Sequence, residues 1–384
     1  MSRLSWSLRR PALLLLLLAA GSILLAACSG RIANTNWAGL SSDGKRVYLA
    51  FGPRVLAYNP ETESQDWIYP AENGSVQFYS APSADEGRVI FGDYGQAGGF
   101  LSPKVTVSIY SLENVESGTP TELWKNSESA TDKIVAPPLQ VEDRVYVGTA
   151  DNHVLALDVN DGTELWDFET GHAVWGQPSY RNGTLYVASM DWSVYAINAD
   201  TGDKIWETKL GGALPSKPVL GDDLLYVSSF DGNVHALDIF SGEERWAAPA
   251  TDWVWGAAAL ADGTIYYSDI KGNIFAADAL TGEQKWTIAT GALIQSTPVV
   301  VGETLYIASQ TNSDSPAGAL SAYSTADGTE IWTNTTTAPL LATPVLVGDN
   351  TIVVGMQNAD TLLIGFDLAT GQELWQYQLP EEAN

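Results

Sequence analysis

After residue 36 the chain is written in short apolar runs that alternate with polar ones or are rich in β-branched residues. In residues 136–168 the runs "APPLQV", "RVYVGT", "HVLALD" and "TELWDF" follow one another, cut by the polar clusters "EDR", "ADN" and "NDG". Period-two alternation with Val, Leu, Tyr and Thr predicts strands, and the Asp, Asn and Gly clusters predict the turns between them. No helical period of 3.6 competes anywhere beyond residue 28. Each such stretch therefore predicts four short antiparallel strands.

The stretch recurs. "ALDVNDGTELW" (156–166) returns as "AINADTGDKIW" (196–206), "ALDIFSGEERW" (236–246) and "AADALTGEQKW" (276–286), a strict 40-residue register. The tryptophans that close it are Trp67, Trp124, Trp166, Trp206, Trp246, Trp286, Trp332 and Trp375, which makes eight units. A tyrosine column (Tyr48, Tyr146, Tyr186, Tyr226, Tyr266, Tyr306) and a proline column (Pro82, Pro138, Pro178, Pro218, Pro298, Pro344) keep step with it; units two and eight put Ile90 and Val353 in the tyrosine place. Eight repeats of four antiparallel strands predict an all-β chain folded as an eight-bladed β-propeller.

The repeated residues read as a joint between blades. Asp158, Asn198, Asp238, Asp278 and Asp367 suit a turn, because their side chains can bond their own backbone. The glycine four residues before the tryptophan in six units (Gly162, Gly202, Gly242, Gly282, Gly328, Gly371) supplies a positive φ. The tryptophan, on the outer strand, is large enough to reach the next blade, and Ala156, Ala196, Ala236 and Ala276 leave room for its ring. This Ala-x-Asp-x-x-x-Gly-x-x-x-Trp pattern resembles the tryptophan-docking repeat of the pyrroloquinoline-quinone (PQQ) type propellers, over about residues 37–379. Glu63 in place of glycine, Gly118 six residues before Trp124, and Ser324 in place of aspartate mark the units furthest from the pattern. Whether the first and last blades share a sheet is left open by the sequence.

The N-terminus has a different character. Arg3, Arg9 and Arg10 precede an apolar stretch, and the stretch ends on "LAAC" at Cys28. That order predicts a secretory signal over 1–27, and its last four residues resemble a bacterial lipobox, implying acylation of Cys28. The expected organisation is a leader at 1–27, a lipidated tether at 28–36, the propeller at 37–380 and a tail at 381–384. With the lipobox, the chain is similar to the BamB-type propeller lipoproteins of the outer-membrane protein assembly machine.

Charge and cysteine usage narrow the chemistry. The net charge is −27, and about −30 once the three leader arginines are gone. Such a surface repels nucleic acid and anionic headgroups, so membrane association would rest on the acyl chains. Cys28 is the sole cysteine, which excludes disulfides, a thiolate metal site and a thiol nucleophile from the propeller.

Quinoprotein dehydrogenases share the PQQ-type repeat. That resemblance would bring PQQ, calcium-binding acids, a catalytic aspartate and an adjacent cysteine pair; the pair is missing here. Hydrolase, phosphate-loop and dinucleotide-binding motifs are also missing. His153 and His235 read as strand residues, and "NSDSPAG" (312–318) lacks the spacing of a calcium loop. The expectation is no cofactor and no catalysis, with a PQQ-dependent oxidoreductase as the alternative.

Function is then sought on loops. Outer-to-inner loops between blades, and loops joining second and third strands, open on one side of a propeller. The tryptophans outside the docking column fall there: Trp175 in "GHAVWGQP", Trp253 and Trp255 in "TDWVWGAA", and Trp192 in "MDWSV". Phe78 occupies nearly the same place in unit two, and His172, Asp191 and Asp252 lie beside them. The longest insertions, 92–104 and 310–318, share that side. These residues form a candidate face for a protein strand, peptide or sugar; equally, the tryptophans could plug the channel mouth. The expected partner is an outer-membrane assembly barrel or another envelope protein.

Overall fold

The computed structural model describes residues 39–379 except 73, 86, 97–104, 313–316 and 357–359. The leader, the tether with Cys28, the tail 381–384 and much of the two long insertions lie outside the described residues. The rest is all β. Thirty-two strands, β1 (Gly39–Ser42) to β32 (Glu373–Gln378), form eight separate four-stranded sheets, each a meander of consecutive strands. The blades occupy residues 39–69, 83–126, 139–169, 179–209, 219–249, 259–289, 299–336 and 345–378.

Alternation along the strands decides what each blade buries. In blade three, Val145 and Val147 pack against blade two, while Tyr146 between them packs against blade four. Successive side chains leave a strand on opposite faces, so every middle strand feeds two interfaces. The core is accordingly eight apolar slabs, one between each pair of neighbouring blades.

The repeated motif forms the outer part of each slab. Ala156 stands opposite Trp166 in the strand ladder, and a bulge follows at once. The same pairing recurs at Ala196 and Trp206, Ala236 and Trp246, and Ala276 and Trp286. The Trp166 indole crosses to blade four and donates to the Ala199 carbonyl at 3.0 Å. Tyr146 Oη donates to the same carbonyl at 3.1 Å, with the two rings 5.8 Å apart. Blade seven repeats this geometry with Tyr306 and Trp332 on the Leu368 carbonyl. The tyrosine column is thus the second half of the joint, a role not evident from its spacing.

Among the described residues the ring closes without a shared sheet. Blades one and eight each keep their own four strands. Between them lies a slab containing Leu49, Tyr58, Leu363, Trp375 and Tyr377. The Tyr58 ring is 4.9 Å from Trp375 and 4.8 Å from Tyr377, and Tyr377 Oη donates to Gln65 Oε1 at 2.6 Å. At the inner end Gly348 N donates to the Gly44 carbonyl at 2.8 Å. Side-chain packing and this backbone bond join blades one and eight.

Candidate functional site

The loop face is rigid because its two kinds of loop are stitched together. In the connection from blade three to blade four, Val174 N donates to Thr149 O and Met190 N donates to Ala173 O. Val174 is fully buried, so the next residue, Trp175, turns outward and is half-buried. The connection from blade five to blade six repeats this, with Val254 N on Ser229 O, Ile270 N on Trp253 O, and Val254 buried beneath Trp255. Both connections run Trp-Gly, and the glycine lets the chain press on the next blade. A Cβ on Gly176 would lie 2.5 Å from the Ser216 carbonyl carbon, and one on Gly256 would lie 2.4 Å from the Ser296 oxygen.

Between these loops, in ring order, lies the connection from blade four to blade five, with Pro215 in the equivalent place. The Trp175 and Trp255 rings meet across it, 6.5 Å centre to centre. Phe230 extends the array, 5.1 Å from Trp255 and stacked 5.0 Å from Trp253. Trp253 at the outer end is 48% exposed. Two blade connections and the loop between second and third strands of blade five thus carry one continuous aromatic strip.

Not every candidate joins it. Phe78 is 2% exposed and packs edge-on against Phe91 and Tyr110, so it belongs to the slab between blades one and two and leaves the accessible face. Counted back from Pro82 it stands where Val174 and Val254 stand, one residue before the tryptophan place that Tyr79 fills, and that column is buried. Trp192 is 47% exposed at a positive φ of 78°, and makes no ring contact with the strip; the Lys209 ammonium lies over it at 5.6 Å. His172 is exposed, and its Nδ1 accepts from Ala173 N. Asp191 ties the loops together, accepting from Gly171 N at 2.6 Å and Tyr195 Oη at 2.6 Å. Asp252 pairs with Lys271 at 3.0 Å; the Trp253 backbone N–H, then Lys271, hold its carboxyl below the usual carboxylate range. Both aspartates have partners within the chain, which leaves the aromatic strip as the part of the face with surface to offer.

No motif marks Phe230. It sits in a column filled by Met190 and Ile270, each the apolar residue that opens the loop between second and third strands. That column was the signal available. Among the described residues no three His, Cys, Asp or Glu side chains are grouped to hold a metal ion.

The face and fold can be set beside known proteins. The family model described as "Outer membrane protein assembly factor BamB" matches residues 115–189, 169–252, 190–314 and 294–384. BamB from Moraxella catarrhalis is similar in structure at 18% identity, covering 88% of this chain and 96% of that one, with a TM-score of 0.68. The computationally designed Ika8 protein is similar at 14% identity, covering 89% and 96%, also with a TM-score of 0.68. No sequence among the curated proteins matches. The family match takes in the greater part of the chain, blade three to the C-terminus whole, and the protein belongs to the BamB family of PQQ-repeat propellers.

Proposed function

We propose that this protein is a non-catalytic scaffold of the bacterial cell envelope, held to a membrane through an acylated Cys28 and serving outer-membrane protein assembly. Its partner is an envelope protein, and its docking face is the aromatic strip of Trp175, Phe230, Trp253 and Trp255. The observation that carries the reading is this strip. A family member with a rigid loop face presents three off-column tryptophans, Trp175, Trp253 and Trp255, together, drawn from connections two blades apart. Clustered aromatics on a rigid support are the usual anchors of protein interfaces, because they bury much area at little conformational cost. Two variants test it. Cys28→Ser should move the protein from the membrane fraction to the soluble one. Trp253→Ala/Trp255→Ala, shown to be folded, should no longer co-purify the outer-membrane assembly protein that the unaltered chain captures. Co-purification unchanged by that variant would refute the docking face.

A further inference from the structure

A second site lies where the strip meets the channel. One position per blade immediately precedes the proline column and lines up as a ring through the strand registers. In blade five that position is Lys217; the equivalents in the other blades are uncharged, Gln177 and Thr297 among them. Those two are engaged: Gln177 Nε2 donates to Pro138 O, and Thr297 Oγ1 accepts from Ala257 N. Among the described residues no hydrogen bond or ion pair reaches Lys217, although it is exposed to water. The protein around it desolvates the ammonium and pushes its pKa below the usual lysine value, with no carboxylate to offset this.

Its neighbours share the lack of partners. Ser216 stands in the same column as Ser80 and Ser296, whose hydroxyls donate to Ala136 O at 2.8 Å and Ala308 O at 2.7 Å. Ser216 Oγ is buried and has no partner, and so is Trp175 Nε1. Trp175 and Ser216 belong to segments in backbone contact, since Gly176 abuts Ser216 and Lys217. Two donors without partners, a cation without a counter-charge and the Trp175–Trp255 ring pair therefore lie on segments that touch at residues 216–217. Buried polar groups are normally satisfied, and a set of donors without an acceptor calls for one.

We propose that the mouth of the channel at Lys217, Ser216 and Trp175 is a binding site for a carboxylate carried beside an apolar or aromatic group. The ammonium and the two donors take the carboxylate, and the indoles of Trp175 and Trp255 take the apolar part. The site goes beyond the scaffold reading, and would exist whatever protein docks on the face.

The test uses the whole propeller and defined probes. N-acetyl-phenylalanine and its amide would be titrated while the Trp175 indole N–H resonance and tryptophan emission are followed. The acid should shift the Trp175 resonance and bind at least tenfold more tightly than the amide. Lys217→Gln should abolish that preference, and Lys217→Arg should keep it. Trp175→Phe, which retains a ring without the donor, should weaken the acid severalfold; a thermal midpoint equal to that of the unaltered protein shows each variant folded. A peptide ending in phenylalanine amide after an internal glutamate separates the sources: binding like the acid assigns a side-chain carboxylate, and binding like the amide assigns a chain terminus. Equal binding of acid and amide, no saturable shift with either, or an unchanged preference in Lys217→Gln would each overturn the site. None of these results bears on capture of the assembly partner, so the two proposals fail separately.

Discussion

The Trp124 indole of blade two lies on Gly162 of blade three, so closely that a Cβ on that glycine would fall 2.5 Å from the ring. Trp124 Nε1 also donates to Val159 O at 2.8 Å, across the same interface. The glycine of the motif therefore has two reasons to be there: its φ of 73° and the ring of the preceding blade. The contact recurs from Gly202 on Trp166 to Gly371 on Trp332, so it links each blade to the next from blade two to blade eight.

These two reasons can be separated. Gly183 has a φ of 80° with nothing within 4 Å of where a Cβ would stand, whereas Gly162 has both strain and the ring. Gly183→Ala should cost about 1–2 kcal/mol for the left-handed backbone alone. Gly162→Ala should cost about 3 kcal/mol or more, because the Trp124 ring must also move. Chemical denaturation of the two variants would show the difference.

Removal of a docking ring should be costlier still. Trp124 is 7% exposed, and Trp124→Ala should lose about 3–5 kcal/mol. At the closure, Tyr377→Phe deletes only the hydroxyl that bonds Gln65, and should lose about 0.5–1.5 kcal/mol. A larger loss at Tyr377 would mean that the hydroxyl, rather than ring packing, holds blades one and eight together.

Acid should loosen the turns in a particular way. The Asp278 carboxyl accepts from Thr281 N at 3.0 Å, and Asp367 accepts from Thr370 Oγ1 at 2.7 Å. These bonds hold both pKa values below the usual carboxylate range, so their stabilisation is complete above the unfolded value of about 3.9 and is lost as pH falls through the folded values. Asn198 makes the same turn bonds to Asp200 N and Thr201 N without titrating. Asp278→Asn/Asp367→Asn should therefore match the parent at pH 7 and lose less of its thermal midpoint between pH 5 and about 3. Parallel curves for the two proteins would contradict the assignment.

Much of this fold was legible because a repeat prints the same physical constraint eight times. Trp166, Gly162, Asp158 and Ala156 sit at fixed offsets since each answers to one joint, and the strands follow from alternation. Contacts that depend on a particular neighbour were hidden. The sequence showed that Gly162 needs a positive φ, but nothing local reports the Trp124 ring against it. Phe78 lies one residue before the place of Trp175 and Trp255, in the column of the buried Val174 and Val254, and that one-residue step puts it against Phe91 and Tyr110. On the face, Trp175 and Trp255 were found as tryptophans outside the column; their meeting across Pro215 is a matter of ring geometry that spacing along the chain does not encode.

The docking proposal predicts that the exposed end of the strip is dispensable for folding. Trp253 is half in water and rests on Phe230, so Trp253→Ala should cost less than about 1.5 kcal/mol, the worth of the ring pair. A loss as large as that of Trp124→Ala would make the strip a structural plug.

The most direct test of the scaffold reading places a photo-crosslinking amino acid in living cells at position 253, on the strip, and at position 280. Leu280 is 76% exposed on the turn between third and fourth strands, on the opposite side of the blades. The account predicts one discrete adduct with an outer-membrane assembly protein from position 253 and none from position 280. No adduct from 253, or the same adduct from both, would contradict it.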